Sequence, residues 1–181
     1  MSENRRRSER VRKMILAGLF VALGILLPFL VAGNVPAVMR ALSPMHIPVF
    51  LCGFICGWQY GLLVGIVTPL LRSVLVGIPV MYPGALAMAF ELGVYGLVSG
   101  FIFSIAPKKD IRNVYLALIV AMICGRLVWG AVRLVMLGVV GTEFTWGIFL
   151  SSAVTGALPA IVLHLLVVPA LVMAYMRIVN R

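Results

Sequence analysis

The chain has 181 residues, 63% of them hydrophobic and 11% charged, with a formal net charge of +10. A soluble domain of this size cannot hide that much apolar surface, so the composition points to a polytopic helical membrane protein with one membrane domain. The positive charge gathers at the ends and in one loop, a pattern of membrane topology rather than of nucleic-acid binding.

Residues 1–13 carry six of the fifteen basic residues and read as a basic cytoplasmic tail that also touches anionic lipid. No small-residue cleavage site follows, so Met14–Ala32 reads as a retained first span rather than a signal peptide. On it Gly18 and Ala22 form a small-xxx-small pair, with Ala17 and Gly24 alongside. Small residues let a second helix approach closely in lipid, where the hydrophobic effect does not drive association. Pro28 is expected to kink or end this helix.

Gly33–Met45 is a Pro/Gly-broken loop with Arg40. A short second apolar segment, His46–Gly57, is followed by Trp58-Gln59 and a third, Tyr60–Val76, together a tight helical hairpin. Pro69 interrupts the third span, just before Arg72. Gly77–Pro83 is the next outer loop, Gly84–Ile105 the fourth span and 106–113 a basic loop. Val114–Leu137 is the fifth span, Val139–Trp146 the last outer loop, and Gly147–Met176 a long sixth span carrying Pro159 and Pro169. The expectation is an all-α protein: six transmembrane helices over residues 14–178, with both termini cytoplasmic. The inner segments then hold Arg5, Arg6, Arg7, Arg10, Arg12, Lys13, Lys108, Lys109, Arg112, Arg177 and Arg181, and the outer loops only Arg40. That is the asymmetry of the positive-inside rule.

Four ionisable residues fall in the outer half of the spans: Arg72, Glu91, Arg126 and Arg133. An arginine in hydrocarbon costs about 2.5 to 17 kcal/mol, depending on how it is measured, so these side chains must face protein, water or ligand. Arg126 and Arg133 lie seven residues apart, on one helix face with Trp129 between them. Glu91 is expected to pair with one of them. One reading is a buried network that only fixes packing. The other is a cavity open to the outside that recognises a small anion through arginine, which meets a carboxylate bidentately. Asn34, Tyr82, Tyr95 and Trp129 are candidates to add hydrogen bonds and an aromatic wall, the loops of Asn34 and Tyr82 serving as a lid.

His164, mid-span in an apolar run, reads first as a neutral histidine donating to a backbone carbonyl and second as a proton relay. His46 reads as interfacial. Cys52, Cys56 and Cys124 read as small buried apolar residues. No set of ligands at metal spacing, no paired carboxylates and no Gly-x-x-x-x-Gly-Lys-[Ser/Thr] loop is present, so no metal or cofactor is expected, nor an ATPase within this chain.

The basic start leading to Ala17, Gly18 and Ala22, the segment SPMHIPVFLCGFICGWQYGLLVGIVTPLLRS with Gly61 and Gly65, and the proline-bearing sixth helix together resemble a family. It is the substrate-binding S components of energy-coupling-factor (ECF) vitamin transporters. Its first-helix signature is usually Ala-x-x-x-Ala; here the pair is Gly18–Ala22. The resemblance implies a non-enzymatic subunit of the cell membrane that binds a vitamin from outside and docks on a transmembrane coupling protein, the T component, with two ABC ATPases. It implies docking through Ala17, Gly18 and Ala22, and toppling to release substrate inside. Excess arginine favours an anionic substrate; pantothenate comes first, with niacin, biotin and folate also anionic. The alternatives are a self-sufficient proton-coupled transporter of a small organic anion, a structural subunit without ligand, and an intramembrane enzyme.

Overall fold

The computed structural model describes residues 3–32, 35, 38, 42–140 and 158–179. The described residues form six long or medium helices, which we number α1 (Glu3–Ala32), α2 (His46–Cys56), α3 (Trp58–Val76), α4 (Leu86–Ile105), α5 (Ile111–Val140) and α6 (Leu158–Val179). A wide turn, Met81–Ala85, leads into α4. No strand occurs among the described residues. Five of the helices are long and apolar enough to cross a membrane; α2 is the exception. Its 11 residues reach only about 16 Å, half the thickness of a hydrocarbon core.

Element boundaries differ from the sequence expectation for identifiable reasons. α1 begins at Glu3, so described residues of the basic tail form the first turns of the same helix. Pro28 and Pro69 lie inside α1 and α3 without ending them. Only Gly57, at φ 101°, separates α2 from α3, and Trp58-Gln59 already belong to α3. A positive φ of that size suits a residue without a Cβ. The last outer loop at 141–146 and the first part of the expected sixth span lie outside the described residues; α5 runs on to Val140.

α4 is the central element, packed on α2, α3 and α5. α1 packs on α2 and α3, and α6 closes the bundle against α2 and α5. At the α3–α4 crossing the two backbones touch. A Cβ at Gly61 would meet the carbonyl carbon of Gly96 at 2.8 Å, and one at Gly96 would meet Gly61 Cα at 2.8 Å. Glycine is therefore a packing requirement here, the close approach that small residues permit between membrane helices. Around it lies an apolar core with Val49, Phe50, Leu92, Val114, Leu118, Val168 and Val172.

α1 turns Phe20, Gly24 and Pro28 toward the bundle. Gly18 and Ala22 are exposed on its other side, and a Cβ at Gly18 would meet nothing within 4 Å. Ala17 is half-buried against the core.

Candidate functional site

The buried charged and histidine side chains described in the bundle gather at one end. It is the end reached by the C-terminal turns of α1 and α3, the N-terminal turns of α2, α4 and α6, and the second half of α5. Glu91, in the second turn of α4, is 2% exposed. Its Oε1 receives Nη1 of Arg126 at 3.0 Å and the hydroxyl of Tyr95 at 2.7 Å. Tyr95 follows Glu91 by four residues, the spacing that stacks side chains on one helix face. Of the two partners considered for Glu91, Arg126 is the one it meets. Arg126 retains about a quarter of its side-chain exposure. A carboxylate buried this far requires such pairing, because desolvation of an isolated ion is too costly.

Farther along α5, Trp129 lies between two cations. Its ring is 5.5 Å from the guanidinium carbon of Arg126 and 5.3 Å from that of Arg133. These contacts are the size of cation–π pairs and hold the three side chains as a ladder along one face, as the seven-residue spacing predicts. Arg72, near the end of α3, is buried and lies 5.2 Å from the ring centre of Phe29.

A second group forms around Ser43, which has a φ of +43°. A non-glycine residue in this region is uncommon and is held there by its surroundings at a cost of about 1–3 kcal/mol. Its carbonyl oxygen accepts from Nδ1 of His46 at 2.9 Å and from Nε2 of His164 at 3.3 Å. The two imidazoles stack with centroids 5.4 Å apart, and His46 also lies 5.5 Å from the ring of Tyr95. His164 thus meets a backbone carbonyl as its first reading expects. His46 is 3% exposed and lies within the polar end of the bundle.

Two cavities flank this arrangement. The first, of about 440 Å³, is lined by Pro28 of α1, by Ser43–His46, Arg72, Ile78–Val80, Met88 and Glu91, and by Arg126 and Trp129 of α5. The second, of about 530 Å³, lies between α4, α5 and α6 and is lined by Ser43, His46, Tyr95, Arg126, His164 and apolar side chains including Met122, Ile161 and Leu165. Ser43, His46 and Arg126 belong to both walls.

Of the residues singled out from sequence, Arg72, Glu91, Arg126 and Trp129 line the first cavity, and Tyr95 with Arg126 lines the second. Among the described residues, Arg133 reaches the site through Trp129. Tyr82 is exposed and donates to the carbonyl of Met136 at 2.8 Å, tying the turn before α4 to α5. Asn34 lies outside the described residues. Sequence reasoning missed Ser43 and His46 as lining residues, and Pro28 with them. The signal available for His46 was its place at the start of an otherwise apolar helix, HIPVFLCGFIC.

With the site assembled, comparison with known proteins gives one positive finding. Residues 12–179 match the family described as ECF transporter, substrate-specific component. The match covers nearly the whole chain, and the chain belongs to that family. No curated protein and no solved structure matches it. The chain is thus an integral membrane protein and the substrate-binding component of an ECF transporter, a class that works with a T component and ATPases.

Proposed function

We propose that the first cavity captures a small monocarboxylate micronutrient from outside the cell, with pantothenate the leading candidate. The observation that carries this reading is the charge of the lining. Arg72 and Arg126 face the same cavity as Glu91, leaving a balance of one positive charge among the described lining side chains. A guanidinium offers a carboxylate two parallel N–H donors, and a water-poor site strengthens both. The volume of about 440 Å³ falls in the range of small-molecule sites. Trp129 supplies an aromatic wall beside Arg126.

The same reading places the protein in the plasma membrane. The N-terminus, the α4–α5 loop and the C-terminus lie on the cytoplasmic side, in keeping with their excess of Lys and Arg. The cavity, at the other end of the bundle, then opens outward. ATP is hydrolysed by two ABC ATPases acting through the T component. The exposed Gly18 and Ala22 of α1, with Ala17 beside them, form the docking surface.

The decisive experiment is mass spectrometry of small molecules that co-purify with the protein in detergent. A carboxylate vitamin is the expected result; a neutral compound held stoichiometrically would overturn the anion assignment. Uptake that persists without the ATPases and follows a proton gradient would favour a self-sufficient transporter. Single cysteines at 106–113 and 139–146, labelled in intact cells with an impermeant thiol reagent, test orientation: only the second should react.

A further inference from the structure

We propose that Ser43, His46 and His164 select a substrate that donates hydrogen bonds: a monocarboxylate carrying hydroxyl or N–H groups beside an apolar arm. This rests on the carboxylate reading and adds the chemistry of the rest of the molecule. A carbonyl oxygen only accepts, so each ring nitrogen facing Ser43 carries the hydrogen. That assigns Nδ1–H to His46 and Nε2–H to His164. An uncharged imidazole has one N–H, so Nε2 of His46 and Nδ1 of His164 are left as acceptors.

Among the described residues, His46 and His164 both line the second cavity, so a molecule bound there can bring the donor. The adjacent Tyr95 spends its hydroxyl on Glu91. Much of the rest of the second cavity is apolar, with Met122, Ile161 and Leu165 in its wall. Ser43 is bent into a positive φ, and its one carbonyl engages a ring from α2 and a ring from α6 together. His46 and Arg126 both border the two cavities. A carboxylate on Arg126 therefore has a donor-seeking histidine as its neighbour, and the apolar arm continues into the second cavity.

Three acids measured by calorimetry on the detergent-solubilised protein test this: pantothenate, with hydroxyl and amide donors; biotin, with ureido N–H donors; and nicotinate, with none. At least one of the first two should bind more than about tenfold tighter than nicotinate, because a site built to pair a donor rejects an analogue lacking it. His46→Phe should remove most of that preference while nicotinate affinity stays within about threefold. Nicotinate binding as tightly as both donor-bearing acids, or a preference that survives both His46→Phe and His164→Phe, overturns the proposal but not the carboxylate reading. Failure of all three acids to bind overturns both.

A second measurement needs no substitution. The chain has two histidines, so protein labelled with ¹⁵N at its imidazoles gives two sets of ring signals. One ring should carry its proton on Nδ1 and the other on Nε2, and saturating donor-bearing acid should shift the two remaining nitrogens. Both protons on the same type of nitrogen, or unshifted nitrogens in the acid-bound protein, overturns the assignment.

Discussion

The two sides of α4 are built on opposite principles. Toward α2 and α3 it presents Gly96 and Gly100, and the backbones meet with no side chain between them. Toward α5 it presents Glu91 and Tyr95, whose contacts are an ion pair and a hydrogen bond bordered by cavities. The first side derives its stability from close contact over many atoms, each weak and all lost when the backbones part. The second depends on a few directional contacts, each costly to leave unmade. One helix can therefore be a fixed wall and a ligand wall at once. Its glycine side sets where Glu91 stands, and its polar side decides what can bind.

The sharpest way to break the comparison is at the glycine side. Gly96→Leu inserts a side chain where a Cβ alone already meets Gly61 Cα at 2.8 Å. Overpacking of a tight interface costs about 1–3 kcal/mol, and more where the obstacle is backbone. We expect at least about 3 kcal/mol of destabilisation, read as a large fall in the thermal midpoint in detergent and loss of all ligand binding. A stable Gly96→Leu protein with normal affinity would mean that α3 and α4 do not position the site.

The polar side should respond differently. Arg126→Leu leaves a carboxylate that is 2% exposed without its cation. Breaking a buried pair costs about 3–5 kcal/mol, reduced here because Arg126 is partly exposed. Glu91→Leu with Arg126→Leu should recover most of that stability, since apolar replacement of a whole buried pair is often neutral. Ligand binding should not recover with it. A double variant as unstable as the single one, or one that binds ligand normally, would return the pair to a packing role.

This contrast also explains what was legible in the sequence. The spans were readable because a run of apolar residues long enough to cross is a local property. The tight helix hairpin was readable from two apolar runs separated only by Trp58-Gln59. Arg126, Trp129 and Arg133 form one ladder because 3.6-residue periodicity fixes their face, and that too is local. Which of Arg126 and Arg133 meets Glu91 depends on the register of α4 against α5, a long-range property that no spacing within one helix contains. The grouping of His46 with His164 is longer-range still, 118 positions apart by their numbers and joined through one carbonyl of a loop residue. The half-depth of α2 was visible as shortness, but not its burial among α1, α3, α4 and α6.

Arg133 gives a smaller effect that sharpens the boundary of the site. It does not line either cavity and touches Trp129 through its ring face. Arg133→Ala should weaken ligand binding by about 0.5–1 kcal/mol, the size of a partly exposed cation–π contact. Arg126→Ala should cost at least about 1–3 kcal/mol, the scale of a lost charged hydrogen bond left unsatisfied in a buried site. Calorimetry on both folded variants checks the order. Equal losses would extend the ligand site along α5 to Arg133.

The smallest expected effect on the isolated protein is at Ala22. Phe20, Gly24 and Pro28 face the bundle, whereas Gly18 and Ala22 are exposed on the other side of α1. A Cβ at Gly18 meets nothing within 4 Å, so space exists for a larger side chain without disturbing this chain's own packing. If this face served only the internal fold, a large residue would damage stability and binding together. If a partner helix docks there, the defect must be selective, because a bulky side chain holds two helices apart and forfeits the short-range contacts that associate them in lipid. The cavities lie at the far end of the bundle, and α1 contributes to them only through Pro28. Ala22→Trp, and more so its combination with Gly18→Trp, should therefore leave the thermal midpoint and ligand affinity in detergent unchanged. The same variants should lose uptake in cells and co-purify poorly with the transmembrane coupling protein. Normal uptake by a well-expressed double variant would remove this face of α1 from the transport mechanism and place docking on another surface of the bundle.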